Sequence, residues 1–405
     1  MYMDLLAAAL VLFLSILLIN NRKDRKKLFG VYSQPGKWYF IKYPVMLGLL
    51  VFRRLQYYIY GKEGFFDEKQ LERRRPLSNH PLAFDAIFFH AVSQDDVYVV
   101  AGAERRQAGI INGLIYIKHP EFGLLKTPKL PDTKLNEDPE AIMSGKEWAA
   151  EGFKFTPVEP MKRWDLSYSG KMRIHGNDDK LVQVDMQAKF VSDLPWFIYE
   201  TDIPAKMLAH SFAIEPWTNE YFQTLKEAHQ SHYEQQGFLE GTLKVDGKEV
   251  PLKLDAFRDH SFGEKRDWSL MHRYIFHMFY LKNQTRIVLG VISQPCSSSH
   301  MQMGYVVHAN GKIDTIDTCD LFLWQHGEGG RPSDDLCFTF VAADHIYECK
   351  VKYDSTVAHF VGENTLVKMY ERFLTCEVNG IKGKGISEWN YSNTNGKFNL
   401  NQYHC

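Results

Sequence analysis

Residues 257–268 read FRDHSFGEKRDW. Arg258, Asp259, His260, Arg266 and Asp267 bring two guanidinium groups, two carboxylates and an imidazole together beside Phe257, Phe262 and Trp268. A guanidinium is a planar fork that a carboxylate accepts through two bonds. The two Arg-Asp pairs can therefore satisfy one another if Gly263 turns the chain between them. One reading is a buried ion network that clamps two sheets. Burying charge is costly, and a hydrophobic clamp is often as stable, so a polar knot beside aromatic rings also reads as a functional site. The chemistry it suggests is protonation of an alkene. A carboxylic acid kept neutral by apolar surroundings can supply the proton, and aromatic faces can stabilise the resulting cation. The candidate catalytic residues are Asp259, His260 and Asp267. The candidate ligand-binding residues are Arg258, Phe262, Arg266, Trp268, Tyr274 and Glu388. Arg258 and Arg266 would hold a neighbouring Asp ionised, which suits an ion pair better than a proton donor. Glu388, in GISEW, reads as polar lining or as a partner for Arg.

These residues need rigid strands to hold them, and the chain after residue 75 reads as mostly β. LVQVDMQAKF (181–190) alternates apolar and polar residues, the pattern of a half-buried strand. Asp246-Gly247, Asn310-Gly311 and Asn379-Gly380 each split two strand-like runs and accept the positive φ of a hairpin turn; Ser169-Gly170 and Asn395-Gly396 are weaker versions. DWSLMHRYIFHMFYL (267–281) is apolar on both parities, so its strand has no solvent face and belongs at a domain junction. Residues 119–147 are Pro-rich with mixed charge and read as a long loop. Residues 219–236 read as a helix that carries His229 and His232, with no third metal ligand in view.

With 405 residues the chain suits two domains. A formal net charge of −1 gives no electrostatic case for nucleic acid, while 14% aromatic residues suit cores and pockets for oily ligands. All six cysteines follow residue 295 and none forms a CxxC pair, so we expect reduced thiols and no metal. GxGxxG, GxxxxGK[ST] and GxSxG are all missing, and no cofactor is expected.

Residues 5–20 are uncharged and apolar, and Arg22, Lys23, Arg25, Lys26 and Lys27 follow them. As a helix, Met1 to Ile19 would span roughly 28 Å, close to the bilayer hydrocarbon thickness. We expect a signal-anchor whose basic flank stays cytosolic, in the endoplasmic reticulum or a related membrane, with the body facing the cytosol. In that topology the sequons at Asn283 and Asn390 are chance matches. Residues 37–61 mix a short apolar run with Trp, Tyr, Lys and Arg. They suit either a segment in the headgroup layer or an amphipathic helix packed on the first domain. The expected layout is a transmembrane anchor (1–20), a basic, amphipathic juxtamembrane segment (21–75) and two β domains (76–266 and 267–405).

RDHSFGEKRDW resembles the RDHSWGxRDW signature of the carotenoid 1,2-hydratase/AttH-like family. Phe262 stands where that family has Trp, and Glu264-Lys265 lengthen the gap before Arg266 by one residue. GFKFTPVEPMKRWDLSYSG, HYEQQGFLEGTLKVDG, GYVVHANGKI and GKGISEWNY resemble further strands of the family, so the likeness covers roughly residues 76–395. It is nearest to animal members with an amino-terminal anchor. The resemblance implies two lipocalin-like antiparallel β-barrel or sandwich domains in tandem. Fungal ceramide carriers and pericyclase-type cyclases share that fold, so it implies no single activity. The leading expectation is a membrane-anchored protein that binds or transfers a hydrophobic ligand such as a lipid, sphingolipid or isoprenoid. The alternative is a hydratase, isomerase or cyclase acting on an isoprenoid or sterol-like substrate. A third reading is a scaffold without a ligand-sized cavity.

Overall fold

The computed structural model describes residues 24–61 and 66–393, together with residues 11, 15 and 16. Twelve strands form the first sheet: β1 (Phe84–Val92), β2 (Tyr98–Arg106), β3 (Ile110–His119), β4 (Gly123–Lys126), β5 (Lys134–Asn136), β6 (Trp148–Ala150), β7 (Phe153–Glu159), β8 (Arg163–Ile174), β9 (Asn177–Val191), β10 (Trp196–Ile198), β11 (Ser231–Val245) and β12 (Lys248–Gly263). The antiparallel pairings run from β12 through β1, β2, β3, β4, β8, β9 and β11 and back to β12, so this sheet also comes full circle. Its thinnest join is β4 to β8, made by Leu125↔Ile174 and Lys126↔Arg173. Eight further strands close an antiparallel barrel: β13 (Arg273–Leu281), β14 (Arg286–Gln294), β15 (Ser298–Val307), β16 (Ile313–Cys319), β17 (Asp335–Ala342), β18 (His345–Val361), β19 (Val367–Val378) and β20 (Ile381–Ser392).

Alternation along the strands builds three apolar layers. In β1, Ile87, Phe89 and Ala91 turn into the first body, against Trp148, Trp164 and Phe190. In β13, Ile275, Phe279 and Leu281 turn into the barrel, against Phe338 and Trp389. The opposite parities meet between the bodies, where Tyr98, Val100 and Phe257 of the first sheet pack on Met278, Tyr280, Tyr305 and Phe373 of the barrel. Each such buried side chain contributes roughly 1.5–3 kcal/mol, so the seam holds the two bodies as a third core. β13 has its two faces in different cores, which is why 267–281 lacks a polar parity.

The Asx-Gly signals mark turns. Asp246 (φ 46°) and Gly247 (φ 88°) join β11 to β12; Asn379 (φ 48°) and Gly380 (φ 79°) join β19 to β20. Asn310-Gly311 lies between β15 and β16. Ser169-Gly170 instead sits inside β8, whose turn falls at Gly176 (φ 81°). Asn395-Gly396 lies outside the described residues. Residues 119–147 are not one loop: β4, β5 and the helix Pro139–Ser144 interrupt them, the helix opening on Pro at its first turn and closing on left-handed Gly145. The helix expected over 219–236 stops at Glu227, because SHYEQQGFLEGTLKV has the alternation of a strand and becomes β11. His232 therefore lies on a strand and shares no helical face with His229. Asn390 is fully buried, and the described cysteines are free thiols.

The helix Tyr39–Tyr60 packs on the helix Ala205–Ala213. The segment before it is pinned to the barrel, where the Ser33 amide donates to Ser299 Oγ (2.8 Å), and to the connection after the helix Ala205–Ala213, where Ser33 Oγ donates to Glu215 (2.7 Å). Among the described residues no helix is long and apolar enough to cross a membrane. The span expected over residues 1–20 lies outside the described residues, apart from 11, 15 and 16.

Candidate active site at the seam

β12 carries the opening motif, and its pleat sends consecutive residues to opposite faces. Arg258, His260 and Phe262 turn into the first body. Arg258 pairs there with Glu72 (2.8 Å), donates to Gln235 Oε1 (2.8 Å) and lies within 5.6 Å of the Trp164, Phe190 and Tyr233 ring centres. His260 Nε2 meets Asp85 (2.7 Å), and its Nδ1 meets the Tyr233 hydroxyl (3.1 Å). Phe262 lies under the Arg75 guanidinium, 4.3 Å from ring centre to Cζ. None of the three lines the cavity described next.

The expected four-membered Arg-Asp knot does not form. Neighbours on a strand cannot face one partner, and Gly263, the last residue of β12, does not fold the two halves onto each other. Arg266 instead contacts Glu104 (3.3 Å), donates to Ser261 Oγ (2.7 Å) and Gln230 Oε1 (2.8 Å), and stacks 3.8 Å from the Phe84 ring centre. Asp267 caps the short turn Trp268–Leu270, accepting from the Ser269 amide and hydroxyl.

The other parity opens on a cavity of about 300 Å³ between the two bodies. Phe88, Glu104, His232 and Asp259 reach it from the first sheet, and Arg266, Asp267, Trp268 and Met271 from the connection. Tyr274, Phe276, Met301, Met369 and Glu388 reach it from the barrel. Of the candidates from sequence, the structure thus gathers Asp259, Arg266, Asp267, Trp268, Tyr274 and Glu388 around one space. It places Arg258, His260 and Phe262 behind the wall.

The cavity has two electrostatic ends. At one, Glu104 accepts from Asn112 (2.7 Å) and Trp268 (3.4 Å); burial opposes its charge, but Arg106 and Arg266 hold its carboxyl below the usual range. Near it, burial disfavours a charged His232, yet its contact with Glu234 (3.0 Å) and the nearby Asp259 hold the imidazole pKa above its ordinary value. Tyr199 donates to the same Glu234 oxygen.

At the other end Tyr274 donates its hydroxyl to Glu388. Across the β19–β20 register Glu388 faces Glu371, which is fully buried. Burial and then the Glu371 charge push the Glu388 pKa up to about 8, and burial raises Glu371 likewise. Behind them His90 Nε2 stands 3.4 Å from Glu371, and burial lowers the His90 pKa to about 4, so the ring is neutral near pH 7. Neither Glu371 oxygen has a hydrogen-bond donor, which a proton shared with Glu388 would satisfy. Asp259 is also raised, by burial first, with His232 and Arg266 working against that. His90, Glu371 and Glu388 offer ligand atoms within 4.8 Å of one another, a donor set that a divalent cation could also use.

Sequence reasoning missed Glu371, His90 and Glu104, and it noticed His232 only as a helical neighbour of His229. Glu371 had a signal: β19 runs Val367, Met369, Glu371, Phe373 on one parity, a lone carboxyl on an apolar face.

Two closed antiparallel β bodies in tandem, with a cavity at their seam, define a protein of AttH-like fold. The chain belongs to a family of unknown function, DUF8627, which matches residues 5–391. No curated protein matches it. Among solved structures, the AttH-like protein NE1406 of Nitrosomonas europaea is similar, with a TM-score of 0.52 at 9% identity over 76% of this chain and 92% of that one. Kievitone hydratase of Nectria haematococca has a TM-score of 0.48 at 12% identity, over 78% of this chain and 91% of its own. CghA with Sch210972 has a TM-score of 0.48 at 11% identity, over 79% and 95%. At these identities the first likeness concerns the fold alone, and the other two are too distant to inform the chemistry.

Proposed function

We propose that the seam cavity protonates an apolar, unsaturated small molecule, as a hydro-lyase, isomerase or cyclase does, with Glu388 as the proton donor. The observation that carries this reading is a carboxyl that lines an apolar cavity while burial and a second carboxyl keep it protonated near neutral pH. Glu388 gives its proton to one alkene carbon, and the Trp268 and Phe276 faces stabilise positive charge on the other. In hydration a water adds there and loses a proton to a carboxylate; in isomerisation a neighbouring carbon loses the proton instead. Asp259 is the cavity carboxyl placed to take it.

Binding or transfer of a lipid without chemistry uses the same apolar lining. Size argues against a two-chain lipid: about 300 Å³ lies at the foot of the range for small-molecule pockets, roughly 300–1,000 Å³. A pure carrier also has no need of paired neutral carboxyls, which cost stability whenever they ionise.

Deuterium reports the proton transfer directly. The protein is incubated in D2O with a panel of isoprenoid alkenes, and carbon-bound deuterium is read by mass spectrometry. Wild type is expected to label at least one alkene, and Glu388→Gln to lose the labelling by roughly 100-fold or more. A protein that labels none and releases one intact hydrophobic molecule on denaturation is a carrier.

A further inference from the structure

The helix Tyr39–Tyr60 shows its apolar side to the outside. Its rotation is fixed by the inner face: Arg54 donates to the carbonyls of Glu200 (3.1 Å) and Ile203 (2.5 Å), Lys42 donates to the carbonyl of Glu215 (2.7 Å), and Tyr39 meets His210 (2.6 Å). At 100° per residue, Ile41, Val45, Gly48, Phe52, Leu55 and Ile59 then stack along the opposite face. Phe52 is 74% exposed, Ile59 65%, and Phe40 and Leu49 at the flanks 53% each. No described part of the chain covers them.

We propose that this face rests in the headgroup layer of a lipid leaflet that carries anionic lipids. Three observations commit the face to lipid. The helix has no acidic residue; Lys42 and Arg54 are turned to the body, the exposed cation is Arg53, and Arg25, Lys26 and Lys27 are exposed just before the helix. Exposed cations close to an apolar face complement anionic headgroups, whereas a second copy laid face to face supplies no acidic side chain to meet them. At the far end of the helix Tyr58 (66% exposed) and Tyr60 (68%) flank the apolar face, the residue type that favours the membrane–water interface. The sequence upstream, residues 5–20, is uncharged and apolar and seeks the same environment.

The helix lies on the leaflet and does not cross it, because its inner face is bonded to the body through Arg54 and Lys42. Those bonds end on Glu200, Ile203 and Glu215, and the neighbouring Tyr199 lines the seam cavity. Docking therefore brings the cavity wall close to the phase in which an apolar substrate dissolves.

The full chain is reconstituted on vesicles of phosphatidylcholine and phosphatidylserine doped with a diazirine-bearing phosphatidylcholine, irradiated, digested and mapped by mass spectrometry. Adducts are expected on residues 40–59 and not on the exposed barrel residue Ile346. The pair Phe52→Asp and Ile59→Asp, in the full chain, should lower them at least tenfold while the far-ultraviolet circular dichroism is kept. A vesicle-bound chain without adducts on 40–59, or a protein–protein cross-link between two copies of this helix, overturns the proposal. Glu388→Gln is expected to leave the adducts unchanged, so this result and the deuterium assay fail independently.

Discussion

Glu371 and Glu388 face each other across the paired strands β19 and β20, both on the parity that looks towards the seam. Two carboxyls so placed in an apolar setting cannot both ionise cheaply, and the proton one retains is available to a ligand beside Glu388.

Removing Glu371 should show this in two ways. Glu371→Gln takes away a charge that raises the Glu388 pKa, so the alkaline limb of the pH–rate profile moves to lower pH. Stability changes in a defined sense. The folded pKa of Glu371 lies near 8, above its ordinary 4.5, so the native state holds extra proton between those values and wild-type stability declines as pH rises through that window. The variant escapes that decline. Urea titrations should find it close to wild type at pH 5 and more stable by a few kcal/mol near pH 9.

Tyr274→Phe should move the same limb the other way. The Tyr274 hydroxyl favours ionised Glu388, so its loss raises the Glu388 pKa further. The expected profile extends to higher pH with a lower plateau, and a shift in the same direction as Glu371→Gln would be incompatible with the assigned roles.

Proton sharing and cation binding compete for His90, Glu371 and Glu388. The acid reading expects thermal unfolding midpoints unchanged by Zn²⁺, Mn²⁺ or Mg²⁺ after exhaustive chelation. A saturable rise in midpoint, abolished by Glu371→Gln, would hand the cluster to a metal.

Arg258 belongs to the first body's interior. Arg258→Met leaves Glu72 buried and unpaired and should destabilise the protein by about 3–5 kcal/mol, measured by urea denaturation. At temperatures where the variant remains folded, the pH profile of turnover should keep its shape, because Arg258 does not reach the cavity.

Much of the fold was legible from local chemistry. The Asp246-Gly247 and Asn379-Gly380 turns follow from backbone sterics alone, and β13 announced its double burial through its lack of a polar parity. The helix end at Glu227 was obscured because His229 and His232 extend a helical spacing by coincidence, while the strand pattern begins just beyond. The opening motif disclosed its importance but not its partners. Arg258 finds Glu72 and Arg266 finds Glu104 through sheet register and packing, at sequence distances that no local pattern spans. Glu371 was hidden by Arg372 beside it, which makes an exposed ion pair look natural until the pleat separates the two.

The site is divided between the two bodies: Asp259, Glu104 and His232 come from one, Tyr274, Glu371 and Glu388 from the other. Neither half owns a complete set of tools. On the function proposed above, a fragment bearing either shell alone is chemically mute, because the acid Glu388 and the acceptor Asp259 stand in opposite walls.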